Sequence, residues 1–114
     1  MAVEAQVSLR RSDATDHLAD VDERFLSRSY TAIDMKIVSL AAGTKTLLDT
    51  NLSTVELLYI RRTGDSTDIK IYKGSSPEYW TFNDTFMAFV MSMTEEIYVE
   101  ATVATTVLVY MAGS

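Results

Sequence analysis

From Ser53 to Ala112 the chain is a succession of short β-branched and aromatic runs, each closed by Gly, Asp, Asn or Ser after about ten residues. Runs that short bury themselves only by pairing side by side and stacking in layers, so the rhythm predicts an all-β domain. The expected architecture is a β-sandwich or jelly-roll of about seven to nine short, mostly antiparallel strands.

A chain of 114 residues makes one domain of ordinary size and buries about two thirds of the surface its unfolded form exposes. It contains no Cys, which removes disulfides, thiol nucleophiles and Cys-based zinc sites at once. Packing must therefore hold the fold together. The N-terminal residues Met1 to Gln6 carry neither the basic start nor the apolar core of a secretory signal. The nearly uncharged stretch Thr85 to Thr94 is too short to span a bilayer. No membrane partner is expected.

Net charge is -6, the wrong sign for a chain that grips phosphate, so no nucleic-acid partner is expected either. All ten Lys and Arg precede Ser75, whereas Ser75 to Ser114 carries Glu78, Asp84, Glu95, Glu96 and Glu100. This skew predicts an acidic end that could meet a basic neighbour.

Along the chain, Val3, Ala5, Val7 and Leu9 alternate with Glu4, Gln6 and Ser8, which reads as a strand with one buried face. Arg10 to Ser29 is charged and breaks that alternation. Its apolar Leu18, Val21, Phe25 and Leu26 are spaced for a short amphipathic helix or for an arm that docks on a partner. Ile33, Met35 and Ile37 then oppose Asp34 and Lys36, and the change of phase at Val38 and Leu40 predicts a bulge or the strand's end. After a short strand at Thr44 to Leu48, Thr54 to Arg62 is apolar on both parities, as a central strand should be. Asp68 to Lys73 alternates, and the turn Thr63 to Ser66 between these two runs predicts a hairpin. Tyr79 to Phe82, Phe86 to Met91, Ile97 to Thr102 and Thr106 to Met111 supply the remaining strands.

Few residues promise chemistry. Asp20, Asp22 and Glu23 approach a calcium loop, but Arg24 and Phe25 stand where a ligand and a sharp-turn Gly are needed. His17 has no nucleophile context around it. No catalytic, cofactor or metal residue is assigned, and no cofactor is expected. Two constellations remain. Tyr79, Trp80, Asn83 and Asp84 combine aromatic rings with amide and carboxylate groups, the set with which a carbohydrate-binding module holds a sugar. Phe86 to Met91 is apolar on both parities, so the face bearing Met87, Phe89 and Met91 needs either a second sheet or a second subunit over it.

The strings Leu57-Leu58-Tyr59-Ile60-Arg61-Arg62-Thr63-Gly64, Ile69-Lys70-Ile71-Tyr72-Lys73-Gly74, Ile97-Tyr98-Val99-Glu100 and Val107-Leu108-Val109-Tyr110-Met111-Ala112-Gly113 carry a resemblance. About half of the chain resembles the small β-sandwich virion proteins of tailed bacteriophages, the decoration, cement and head-tail accessory type. The resemblance implies a non-enzymatic structural subunit of the virion, assembled in the host cytoplasm. It also implies a homo-oligomer that docks on another virion protein such as a major capsid or connector protein. Partner-binding is then expected of Leu18, Val21, Phe25, Leu26, Met87, Phe89 and Met91, and no small-molecule ligand is needed. The alternative is a carbohydrate-binding sandwich with its platform around Trp80. Either way, far-UV circular dichroism should be dominated by strand and a chelator should leave the melting temperature in place; a helical spectrum or a chelator-sensitive Tm contradicts the reading.

Overall fold

The computed structural model describes residues 2–9, 21–29 and 32–114, with side chains from Ala32 onward apart from those of Phe89 and Val90. Among the described residues every regular element is a strand, and the chain divides into two compact units, Met1–Tyr30 and Thr31–Ser114.

In the first unit β1 (Ala2–Leu9) pairs antiparallel with β2 (Val21–Ser29). The register sets Ala5 opposite Phe25, Val7 opposite Glu23 and Leu9 opposite Val21. The strand expected at Ala2 to Leu9 is present. Val21–Ser29, within the segment read as helix or arm, is a strand; Leu18 and the rest of 10–20 lie outside the described residues.

The second unit contains eight strands: β3 (Ala32–Leu40), β4 (Thr46–Leu47), β5 (Val55–Arg62), β6 (Ile69–Lys73), β7 (Tyr79–Phe82), β8 (Phe86–Met93), β9 (Ile97–Ala101) and β10 (Thr105–Gly113). They form two four-stranded sheets, β3-β10-β5-β8 and β4-β9-β6-β7, all antiparallel. The pairs β3 with β10, β4 with β9, β5 with β8 and β6 with β7 are nested one inside the next. That is one long hairpin rolled up until β10 meets β5 and β9 meets β6, the topology of a jelly-roll. The all-β expectation holds, and eight sandwich strands fall within its range.

Nesting overturns one local reading. β5 and β6 do not form a hairpin, because they lie in different sheets. The intervening turn instead crosses between layers: the amides of Thr63 and Gly64 donate to the Thr106 carbonyl at 2.9 and 3.2 Å. A turn signal marks where the chain reverses, and only longer-range pairing decides which sheet it re-enters.

The core lies between the sheets. Leu58, Ile60, Val107, Val109 and Met111 from one layer meet Ile69, Ile71, Val99 and Ala101 from the other, all essentially without solvent exposure. The period of two that places Val107, Val109 and Met111 inward turns Leu108 and Tyr110 outward. Two buried hydroxyls are satisfied at the layer crossing: Thr67 Oγ1 accepts the Val103 amide at 2.9 Å and Thr105 Oγ1 donates to the Asp65 carbonyl at 2.8 Å. At the far end β5 bulges between Val55 and Leu57 against Ala112 and Gly113. A Cβ on Gly113 would run into the Thr54 carbonyl, so only Gly permits this close approach.

β3 decides between two alternatives. Its register against β10 runs unbroken from Ala32 to Leu40, where the strand ends, so the phase change in the sequence marks the strand's end and no bulge. Leu40 is buried and Val38 packs on the core, and the same parity carries Lys36 and Asp34 inward near the open edge of the sandwich. Ile33, Met35 and Ile37 consequently belong to the outer face. Ile60 and Ile37 are therefore the same side chain in opposite environments, 0% and 72% exposed. Ile60→Ala should cost about 2–5 kcal/mol in urea denaturation of dilute protein, whereas Ile37→Ala should stay within about 0.5 kcal/mol.

Candidate functional site

Two surfaces collect the residues of interest, and each is an outer face of one sheet. The first is built by cross-strand register. Ile37, Leu108, Arg61 and Phe86 stand in one row across β3, β10, β5 and β8; Met35, Tyr110, Tyr59 and Ala88 make the next; Ile33, Ala112 and Leu57 begin a third, in which Ala112 and Leu57 are buried. Met35 is 63% exposed and Phe86 56%, while Tyr59 and Phe86 hold their ring centroids 5.9 Å apart. In the two complete rows Arg61 is the only charged residue.

Met87 is buried and Met91 packs on the core. The second sheet therefore covers the face that the sequence left open to either a sheet or a subunit, and these two expected partner-binding residues are corrected to core residues. Phe89 shares their strand, with its side chain outside the description. The neighbouring parity, Phe86 and Ala88, is the exposed one. Val21, Phe25 and Leu26 lie on β2, and Leu18 lies outside the described residues. The positions that sequence reasoning missed are Ile33, Met35 and Ile37. Their signal was the same alternation, which separates two faces without saying which is inner; here Asp34 and Lys36 occupy the inner parity.

Those two charges are accommodated by each other and by a loop. Lys36 Nζ lies 3.2 Å from Asp34 Oδ2 and donates to the Asp49 carbonyl after β4. β3 is an edge strand, and inward-pointing charge is a device by which edge strands resist pairing with a strand from elsewhere.

The outer face of the second sheet has different chemistry. β6 and β9 set Lys70 opposite Glu100 and Tyr72 opposite Tyr98. Tyr72 donates its hydroxyl to Glu100 Oε1 at 3.0 Å, Lys70 Nζ lies 3.8 Å from the same oxygen, and Lys45 Nζ sits 3.9 Å above the Tyr72 ring. Tyr98 donates to Glu96 Oε2 at 2.6 Å, and Lys73 pairs with Glu95 at 3.7 Å. The acidic end read from the sequence is thus partly neutralised, because strand pairing carries basic residues of β6 onto acids of the later chain.

The sugar-binding set does not converge. Tyr79 and Trp80, 49% and 50% exposed, stand on opposite faces of the edge strand β7. Tyr79 lies against Tyr72, with ring centroids 5.4 Å apart, and Lys70 Nζ is 4.7 Å from its centroid. Asn83 and Asp84 serve the fold: Arg62 Nη1 donates to their carbonyls at 3.0 and 3.3 Å and to that of Thr67 at 3.3 Å, while Asn83 Nδ2 donates to Asp68 Oδ1 at 3.0 Å. Among the described residues no cluster of His, Asp or Glu is arranged to hold a metal ion, and no helix is long and apolar enough to cross a membrane.

No protein-family model, no curated protein and no solved structure matches this chain.

Two tyrosines on the second face respond to their carboxylates. Burial raises the Tyr72 pKa above the ordinary 10.0 and the hydrogen bond to Glu100 adds to it; Tyr98 is raised first by its bond to Glu96 and then by burial. A raised folded-state pKa stabilises the fold fully below the unfolded value, and the contribution is lost as pH rises through the folded one. Alkaline titration followed by tyrosinate absorbance should show two late-ionising groups, one removed by Tyr72→Phe and the other by Tyr98→Phe. Stability should fall only above about pH 10.

Proposed function

We propose that this chain is a non-enzymatic structural subunit of a virion, which self-associates and docks on a protein lattice such as that of a major capsid or connector protein. The observation that carries the reading is the outer face of the β3-β10-β5-β8 sheet, where Met35, Ile37 and Phe86 stand exposed among Tyr59, Leu108 and Tyr110. A contiguous apolar surface of this kind on a small β domain is an interaction surface before it is anything else. The jelly-roll topology is compatible, since it serves in capsid proteins, although it also serves in lectins and cupins and assigns no function by itself. A two-stranded ribbon such as β1 with β2 is marginal in water by itself.

Carbohydrate binding is the second reading, favoured by the exposure of Tyr79 and Trp80 beside Ser76, Glu78 and Lys73. It ranks lower because the two rings cannot form one flat platform from opposite faces of a strand, and because Asn83 and Asp84 are engaged in holding loops together.

A mass-spectrometric inventory of intact particles from the phage encoding the chain should contain it in many copies. Its absence from particles, or glycan binding abolished by Trp80→Ala with the fold intact, overturns the first reading. For the β1–β2 segment, replacing Leu18, Val21 and Phe25 together by Ser should weaken attachment to particles and leave the melting of the eight-stranded unit unchanged. Unfolding or aggregation of the isolated triple variant would place these residues in the protein's own core.

A further inference from the structure

We propose that the outer face of the β3-β10-β5-β8 sheet pairs with the same face of a second copy about a two-fold axis that lies between the two faces and runs along the strands. The proposal rests on the reading of that face as an assembly surface and names its occupant.

Three observations select a second copy. First, one edge is guarded against strand addition. Asp34 and Lys36 point inward on the edge strand β3, so a partner on that side of the sheet meets its face. Second, the chain carries a net charge of -6, and like-charged copies approach at least electrostatic cost where charge is sparse. The rows from Ile37 to Phe86 and from Met35 to Ala88 hold only Arg61. Its alkyl stem can lie on Leu108 of the other copy while the guanidinium reaches the rim.

Third, the relief of the face is self-complementary. The strand order is β3-β10-β5-β8, so this axis lays β3 over the second copy's β8 and β10 over its β5. The central row then sets Met35, a long and 63% exposed side chain, over the short and exposed Ala88. The two-fold repeats that knob and hole on the other side. Tyr110 falls over Tyr59 between them, and Ile37 falls over Phe86 in the adjacent row. Stacked sheets cross at about 30°, which keeps these pairings closest near the axis.

The open part of the face is four strands wide and about three residues deep, because Ala112 and Leu57 of the third row are already buried, a footprint of roughly 200 Å². Stable pairs bury about 800 Å² per partner. The dimer is accordingly weak in free solution, in the range of tens to hundreds of micromolar, and gains its strength from repetition on a lattice.

Sedimentation equilibrium of the full chain, taken up to several hundred micromolar, tests this through a swap. Wild type should dimerise. Ala88→Met fills the hole and Met35→Ala removes the knob, and each should weaken dimerisation about tenfold. The double variant Met35→Ala/Ala88→Met exchanges knob and hole across the axis and should return to within about threefold of wild type. Thermal melts confirm that all three variants fold. A wild-type chain that stays monomeric throughout overturns the proposal, as does a double variant no better than the worse single. A dimer indifferent to both single changes overturns it too. Attachment to particles, measured separately on the same proteins, decides the assembly reading: variants that attach normally while failing to dimerise leave that reading standing on another surface.

Discussion

The register between the two outermost strand pairs carries the rest of the eight-stranded unit. Leu40 stands opposite Thr105 and Thr46 opposite Val99, so six residues forward on one side match six residues back on the other. The offset between the two sides is therefore the same before and after the corner, although the ladder itself is interrupted there. The corner is held by a bridge between Ala42 and Ala101, by the Gly43 amide donating to the Ala101 carbonyl at 2.8 Å, and by Gly43 itself, whose φ of 68° suits a residue without a Cβ. A slip of one residue would turn every side chain of a strand to the other face. The constant offset therefore fixes at one stroke that Val107, Val109 and Met111 face Val99 and Ala101 across the core, and that Leu108 and Tyr110 do not.

The same constraint explains why apolar residues end up outside. β3 must follow β10 residue for residue, and its inward parity reads Asp34, Lys36, Val38, Leu40. Val38 and Leu40 reach the core. Asp34 and Lys36 reach the open edge, where they pair and where Lys36 is bonded to the Asp49 carbonyl. Exposure of Met35 and Ile37 follows from the pairing, and the arrangement has two effects at once: it closes an edge to strand addition and leaves the β3 part of the face uncharged. At the opposite edge of that sheet, Phe86 continues the apolar row.

Strand positions were legible in the sequence because period-two alternation and turn residues are local signals. Even the apolar run Phe86 to Met91 was distinguishable as strand from its aromatic content and length. What local signals do not carry is partnership. The turn after Arg62 looks like a hairpin turn, yet Arg62 helps hold a layer crossing by gathering the carbonyls of Thr67, Asn83 and Asp84. Asn83 and Asp84 looked like ligand-binding groups for the same reason: polarity at a turn is visible in sequence, and the Arg that engages their backbone sits on β5. Alternation likewise separates two faces without saying which is inner, and on β3 the more apolar stretch lost because the core needed the later residues of the other parity. The charge skew dissolved in part once β6 was paired with β9.

The two sheets finish with outer faces of opposite chemistry. On one, Lys70 and Tyr72 engage Glu100 and Tyr98 engages Glu96, so a solvated surface is built from satisfied polar groups, and the Tyr72 and Tyr79 rings are partly covered by Lys45 and Lys70 respectively. On the other, the complete rows offer a single Arg and otherwise hydrocarbon, aromatic ring and thioether. Ion pairs at an exposed sheet surface contribute little to stability, while exposed apolar surface remains costly to leave in water. A partner therefore gains most by covering the apolar face, and the polar face can stay wet. This asymmetry gives the eight-stranded unit an orientation: one face is chemically fit to be buried in an assembly and the other to look outward from it.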